Sequence, residues 1–103
     1  MSLHQLTLSR KRGQPVVASE GVYFRMMRGR HEVTCLATRA ALSELAGHPL
    51  EISQLEFVYF KHYLLLAEAA KSQFKVTRRR YSVVVVSPEG ARKAMSSWPS
   101  ALN

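Results

Sequence analysis

The stretch ISQLEFVYFKHYLLLAEAAKSQF, from Ile52 to Phe74, constrains this chain more than any other. It contains no Pro or Gly, the residues that most often stop a helix. Ser53 is followed three residues later by Glu56, the capping-box spacing, and Ile52 and Phe57 stand where a hydrophobic staple would pin the entry. One helix of about 22 residues, roughly 33 Å long, is expected. At about 100° per residue, Ile52, Leu55, Tyr59, Tyr63, Leu66 and Ala70 share one face. Gln54, Lys61, Glu68 and Lys75 form a narrow polar strip, with Phe57 and Leu64 on one flank and Val58 and Leu65 on the other. Such a rod carries more apolar circumference than one small sheet covers. Phe57, Val58, Leu64 and Leu65 are therefore the candidate oligomer interface, and a homodimer is the expected partner arrangement.

The elements around the rod follow from shorter patterns. Leu3 to Ser9 alternates like an edge strand, and Arg10 to Pro15 reads as a basic loop. Val22 to Ala37 reads as a β-hairpin. A two-residue loop at Arg28-Gly29 would pair Phe24 with Val33 and Val22 with Cys35, and would set Arg25 opposite Glu32. Val22, Phe24, Met26, Val33 and Cys35 then share the core face. Thr38 is placed to cap a short helix through Ala46, with Leu42 and Leu45 inward and Gly47 as its stop. Tyr81 to Val86 is a β-branched run, too short for a helix, and reads as a strand beside the hairpin. Ser87-Pro88-Glu89 opens a last short helix to about Ser96. Trp98 to Asn103 is read as a tail, and residues 1–20 and 97–103 as flexible ends of one domain spanning 1–103.

The fold class expected is α+β. A small, mainly antiparallel sheet of hairpin and C-terminal strand, with an N-terminal edge strand available, packs against one long and one or two short helices.

The hairpin ending Val33 to Leu42, VTCLATRAAL, followed by a capped helix, resembles a family of short bacterial proteins of unknown function. Its members run strand, Gly-containing turn, strand with Cys or a small residue, Ser/Thr-x-x-Ala-Leu, then helix. The likeness covers Val22 to about Lys71. It implies a bacterial source and a small α+β fold, and it supplies no activity, cofactor or catalytic residue.

Composition narrows function mainly by exclusion. One cysteine, Cys35, leaves no disulfide framework and fits a reducing compartment. The N-terminus lacks the apolar core of a secretory signal, and no apolar run approaches the ~20 residues that span a bilayer. A soluble cytoplasmic protein without membrane partners is expected. His31 and Cys35 share a strand face but stand about 13 Å apart, too far for one zinc ion. A thiol turned to the core is an inert small hydrophobe rather than a nucleophile. No nucleophile elbow and no phosphate-binding glycine loop occurs. No enzyme, no metal and no cofactor is expected.

Fifteen Lys and Arg face seven Glu, with no Asp, for a net charge of +8. That balance makes nucleic acid the alternative partner. Arg10-Lys11-Arg12, the hairpin set Arg25, Arg28 and Arg30, the run Arg78, Arg79 and Arg80, and Arg92-Lys93 form four clusters. Of these, Arg25, Arg28, Arg30, Arg78, Arg79 and Arg80 are the candidate phosphate contacts. Tyr23 and Tyr81 are available as stacking faces.

Overall fold

The computed structural model describes residues 6–8, 15–77 and 83–102, and the statements below concern those residues. The fold is α+β. Strands β1 (Leu6–Leu8), β2 (Val16–Ala18), β3 (Gly21–Arg28) and β4 (His31–Thr38) precede helices α1 (Arg39–Ala46), α2 (Ile52–Lys61) and α3 (Tyr63–Thr77). Strand β5 (Val84–Val86) and helix α4 (Pro88–Leu102) complete the order. In the sheet the order is β1-β3-β4-β5, with β2 sharing β3's outer edge with β1. The hairpin, β1 and β2 pair antiparallel, whereas β5 at the other edge lies parallel to β4, so the sheet is mixed. Parallel pairing follows from connectivity: the chain leaves β4, passes through three helices and re-enters the sheet in the same direction.

The hairpin keeps its expected faces but not its expected register. Its turn is Gly29-Arg30, with Arg28 opposite His31, Phe24 opposite Cys35 and Met26 opposite Val33. Gly29 has φ +62°, the left-handed conformation that tight hairpin turns demand at their first central position. The pairing is thus displaced by two residues, and an even displacement returns every side chain to its face. Val22, Phe24, Met26, Cys35 and Ala37 are buried. Arg25 faces Thr34 rather than Glu32, yet still reaches the diagonal Glu32 carboxylate at 3.4 Å.

Strand β2 is an addition to the sequence reading. Its three residues pair with Gly21–Tyr23 through the turn at Ser19-Glu20, inside the segment expected to be a flexible end. Of the expected N-terminal strand, Leu6–Leu8 forms β1.

Helix α1 forms as its cap predicts. Thr38 Oγ1 accepts the Ala41 N–H at 3.0 Å, and Gly47 closes the helix at φ +84°. Arg39 then sends Nε and Nη2 to the Leu50 carbonyl, at 2.9 and 2.7 Å. With that carbonyl gripped and the Leu50 side chain buried, the chain turns at the next residue. The N-cap of α2 is accordingly Glu51, two residues before the position implied by Ser53 and Glu56. Its N–H donates to Gln54 Oε1 at 2.9 Å, and its carbonyl accepts the Gln54 N–H at 2.9 Å. Ile52 and Phe57 are both exposed and form no staple.

The expected single rod is two helices. At His62 the backbone takes φ −121° and ψ 23°, and its N–H is shared between the carbonyls of Val58 and Tyr59, at 3.1 and 3.2 Å. The longest strands have eight residues, about 27 Å. A straight helix over 52–77 would run about 39 Å and overhang them. The elbow lets Leu55, Val58 and Tyr59 pack beside β3, while Leu66, Ala70 and Phe74 pack toward β5 and α4.

Val84 and Val86 of β5 are buried, and Val83 and Val85 are exposed. Tyr81 and Ser82, the start of the expected strand, lie outside the described residues. Ser87 Oγ caps α4 by accepting the Gly90 N–H at 3.0 Å. The helix does not end near Ser96 but runs to Leu102, replacing most of the expected tail. It packs on α1 and α3. All helices thus lie on one side of the sheet, and no charged side chain is buried among those described.

Candidate functional site

Among the described residues, the elbow between α2 and α3 presents the three exposed aromatic side chains together with Leu64. Phe57 is 70% exposed, Phe60 50%, Leu64 46% and Tyr63 42%. Phe57, Phe60 and Leu64 recur at spacings of three and four, so they share a helical face despite the break at His62. Of the four residues expected at an interface, Phe57 and Leu64 are on this surface. Val58 and Leu65 are not: each is 6% exposed, covered by other parts of the same chain. The polar strip separates two apolar flanks, and the elbow turns one of them inward. Sequence reasoning missed Phe60 and Tyr63, which take the place of the two buried residues; their spacing from Phe57 and Leu64 was the available signal.

The patch is anchored. Phe60 packs edge-on against Tyr59 with centroids 5.2 Å apart, and Tyr59 in turn meets Phe24 of β3 at 5.4 Å. An aromatic chain therefore runs from the sheet to the surface. With 150–250 Å² for a whole aromatic side chain, the exposed fractions of Phe57, Phe60, Tyr63 and Leu64 amount to roughly 400 Å² of apolar surface. That matches the largest patch on a typical monomer, about 300–600 Å².

Beside the patch, the end of α1 and the loop after it leave a cleft of about 400 Å³ against α2. Leu50, Phe57 and Val58 line it together with His48, Lys61 and His62. Gly47 and Pro49 produce it: one ends α1 and the other blocks its continuation, so the chain doubles back along α2. A shallower hollow of about 600 Å³ lies between α1 and the start of α4, lined by Ser43, Glu44, His48 and Pro88.

Nothing among the described residues assembles into a nucleophile or a metal site. Cys35 is fully buried, and burial pushes its thiol up to about 12, which keeps it protonated at physiological pH. No group of three or more His, Cys, Asp or Glu side chains converges to hold a metal ion. Burial, and then the Lys61 ammonium, hold the His62 imidazole below its usual value, so it is neutral near pH 7.

Among the described residues, Arg25, Arg28, Arg30 and Arg92 do not share one face. Arg25 and Arg28 alternate across β3: Arg25 lies on the open side beside Glu32, while Arg28 lies over the Phe74 ring of α3, 5.6 Å from its centroid. Arg30 is exposed in the turn. Arg92 pairs with Glu44 at 3.1 Å, which holds that carboxyl below its usual range. Arg78, Arg79, Arg80, Tyr81 and the Arg10-Lys11-Arg12 cluster lie outside the described residues. Tyr23 is half-buried and its hydroxyl donates to Glu20 at 2.6 Å. The helix-free side of the sheet carries a row across four strands, Val16, Tyr23, Leu36 and Val85.

No helix among the described residues is long and apolar enough to cross a membrane. Comparison with protein-family models, with curated proteins and with solved structures finds no significant match for this chain.

Proposed function

We propose that this is a small bacterial, cytoplasmic, non-enzymatic module that pairs with a second copy of itself across the elbow of α2 and α3. The observation that carries the reading is the exposure of Phe57, Phe60, Tyr63 and Leu64 on the helical surface of the elbow. Two such patches brought together by a two-fold axis would bury roughly 800 Å² of apolar surface, and a polar rim would bring the total near the ~1,000 Å² of a specific interface. Exposed Glu56 and Lys61 flank the aromatic residues and provide such a rim. The likeness of Val22 to about Lys71 to short bacterial proteins fits a source but adds no role. Sedimentation equilibrium at micromolar concentration tests the proposal: a mass of twice 11.6 kDa is expected. A single species of 11.6 kDa at every concentration overturns it.

A second reading, contact with nucleic-acid phosphates, rests on the net charge of +8 and on Arg28, Arg30 and His31 at the hairpin turn. Fluorescence titration against duplex DNA and single-stranded RNA at two salt concentrations tests it. Binding that falls steeply with salt supports phosphate contact, and no binding at low salt removes it.

A further inference from the structure

We infer that the cleft between the end of α1 and helix α2 binds a small monocarboxylate with a ring-sized apolar body. The cleft's volume of about 400 Å³ falls within the 300–1,000 Å³ typical of small-molecule sites. Its composition is the stronger argument. Leu50, Phe57 and Val58 form apolar walls, while the ionisable groups lining it are Lys61, His62 and His48. No carboxylate lines it. Two exposed arginines pair with glutamates, at Arg25–Glu32 and Arg92–Glu44, whereas the lysine and two imidazoles of this concavity line it without an acid and are set to receive an anion.

The chemistry of the two histidines fits. His48 Nδ1 lies 2.9 Å from the Pro49 carbonyl, and a carbonyl oxygen only accepts, so Nδ1 carries the hydrogen. Nε2 is then the acceptor of the neutral ring and becomes a donor on protonation. His62 is neutral near pH 7 through burial and the adjacent Lys61. An anion placed between Lys61 and His62 offsets both causes, because it screens the ammonium and stabilises an imidazolium. A bare phosphate suits the site less well. Dehydrating a dianion against Leu50 and Val58 is costly, whereas a monocarboxylate can leave its charged end at Lys61 and bury its body.

The test uses 2-naphthoate as probe and 2-naphthamide as its neutral isostere, followed by fluorescence and by the histidine ring signals in NMR. Saturable naphthoate binding that moves the His48 and His62 signals is expected, with naphthamide at least tenfold weaker. Lys61→Gln should weaken naphthoate about tenfold, the scale of one charge-assisted contact. Ser53→Trp, which fills the cleft from an exposed helical position, should abolish binding while circular dichroism stays native. Leu64 does not line the cleft, whereas Phe57 belongs to both the cleft and the elbow patch. At concentrations where the parent is monomeric, Leu64→Ser should therefore bind as the parent does, which separates this site from the elbow patch. Equal affinity for the amide, unchanged affinity in folded Lys61→Gln, immobile histidine signals, or displacement of naphthoate by equimolar inorganic phosphate would each overturn the assignment.

Discussion

The hydroxyl of Thr38 donates to the main-chain carbonyl of Val86, 48 residues away, at 3.1 Å. The same oxygen accepts the Ala41 N–H and caps α1. One side chain thus joins the end of the hairpin, the first helix and the parallel strand β5. A second bond at the same corner runs from the Arg39 N–H to the Glu20 carbonyl at 2.9 Å, tying in the β2–β3 turn.

Thr38→Ala should therefore cost more than an ordinary cap. Loss of the cap and of the bond to β5 together is expected to lower stability by about 2 kcal/mol. Thr38→Ser keeps the hydroxyl and should recover most of it. Urea unfolding of the two variants beside the parent is the measurement.

The glycines divide sharply. A Cβ on Gly21 would stand 2.1 Å from the Ala37 carbonyl oxygen, in a backbone at φ +150°. At Gly29 it would meet nothing within 4 Å, and only φ +62° opposes it. Gly29→Ala should cost about 1 kcal/mol, the left-handed penalty of one residue. Gly21→Ala should cost about 3 kcal/mol or more, because strand pairing must yield. A smaller midpoint shift for Gly21→Ala than for Gly29→Ala would contradict this register.

Alkaline pH should loosen the core. Burial pushes Cys35 up to about 12; Tyr59 is also raised to about 12, by burial first and then by the Cys35 and Tyr63 charges. Both groups are neutral when protonated, so above about pH 9 the unfolded chain releases protons that the folded chain retains. Stability is fully present below that pH and falls as pH rises toward 12, by at most about 1.4 kcal/mol per unit for the thiol. Cys35→Ser or Cys35→Ala should flatten the decline between pH 9 and 11. At pH 8, Cys35 alkylation should proceed no faster than global unfolding.

Phe57→Ser and Leu64→Ser remove apolar surface that the single chain does not bury. Each should change monomer stability by less than about 0.5 kcal/mol. Each should also weaken self-association by an order of magnitude or more, since exposed aromatic anchors dominate such interfaces. Val58→Ser provides the contrast: it should destabilise the fold itself, by about 2 kcal/mol.

Local signals in the chain were accurate where one residue suffices to fix the backbone. Thr38, Gly47 and Ser87 each mark the helix end they predict, and the alternation of Val22, Phe24 and Met26 fixes which face of β3 is buried. The hairpin register slipped because Arg28-Gly29 and Gly29-Arg30 offer turns two residues apart in pairing, and both return the same faces to the core. The α2 cap was misplaced for a different reason. Ser53 and Glu56 have the right spacing, but Arg39's hold on the Leu50 carbonyl is invisible to any local window. The candidate interface was half legible: the sequence showed surplus apolar circumference, but not which flank would be covered.

By itself, then, the sequence determined the α+β class, the hairpin and its buried face, the capped start of α1, a buried cysteine and an excess of positive charge. Those follow from periodicity, capping chemistry and composition, which act over a few residues. Tertiary structure alone decided the bend at His62, the burial of Val58 and Leu65, the parallel docking of β5 and the cleft behind Gly47. Each depends on how far the helices can run before the short sheet ends, and that length is set by pairing between residues distant in the chain.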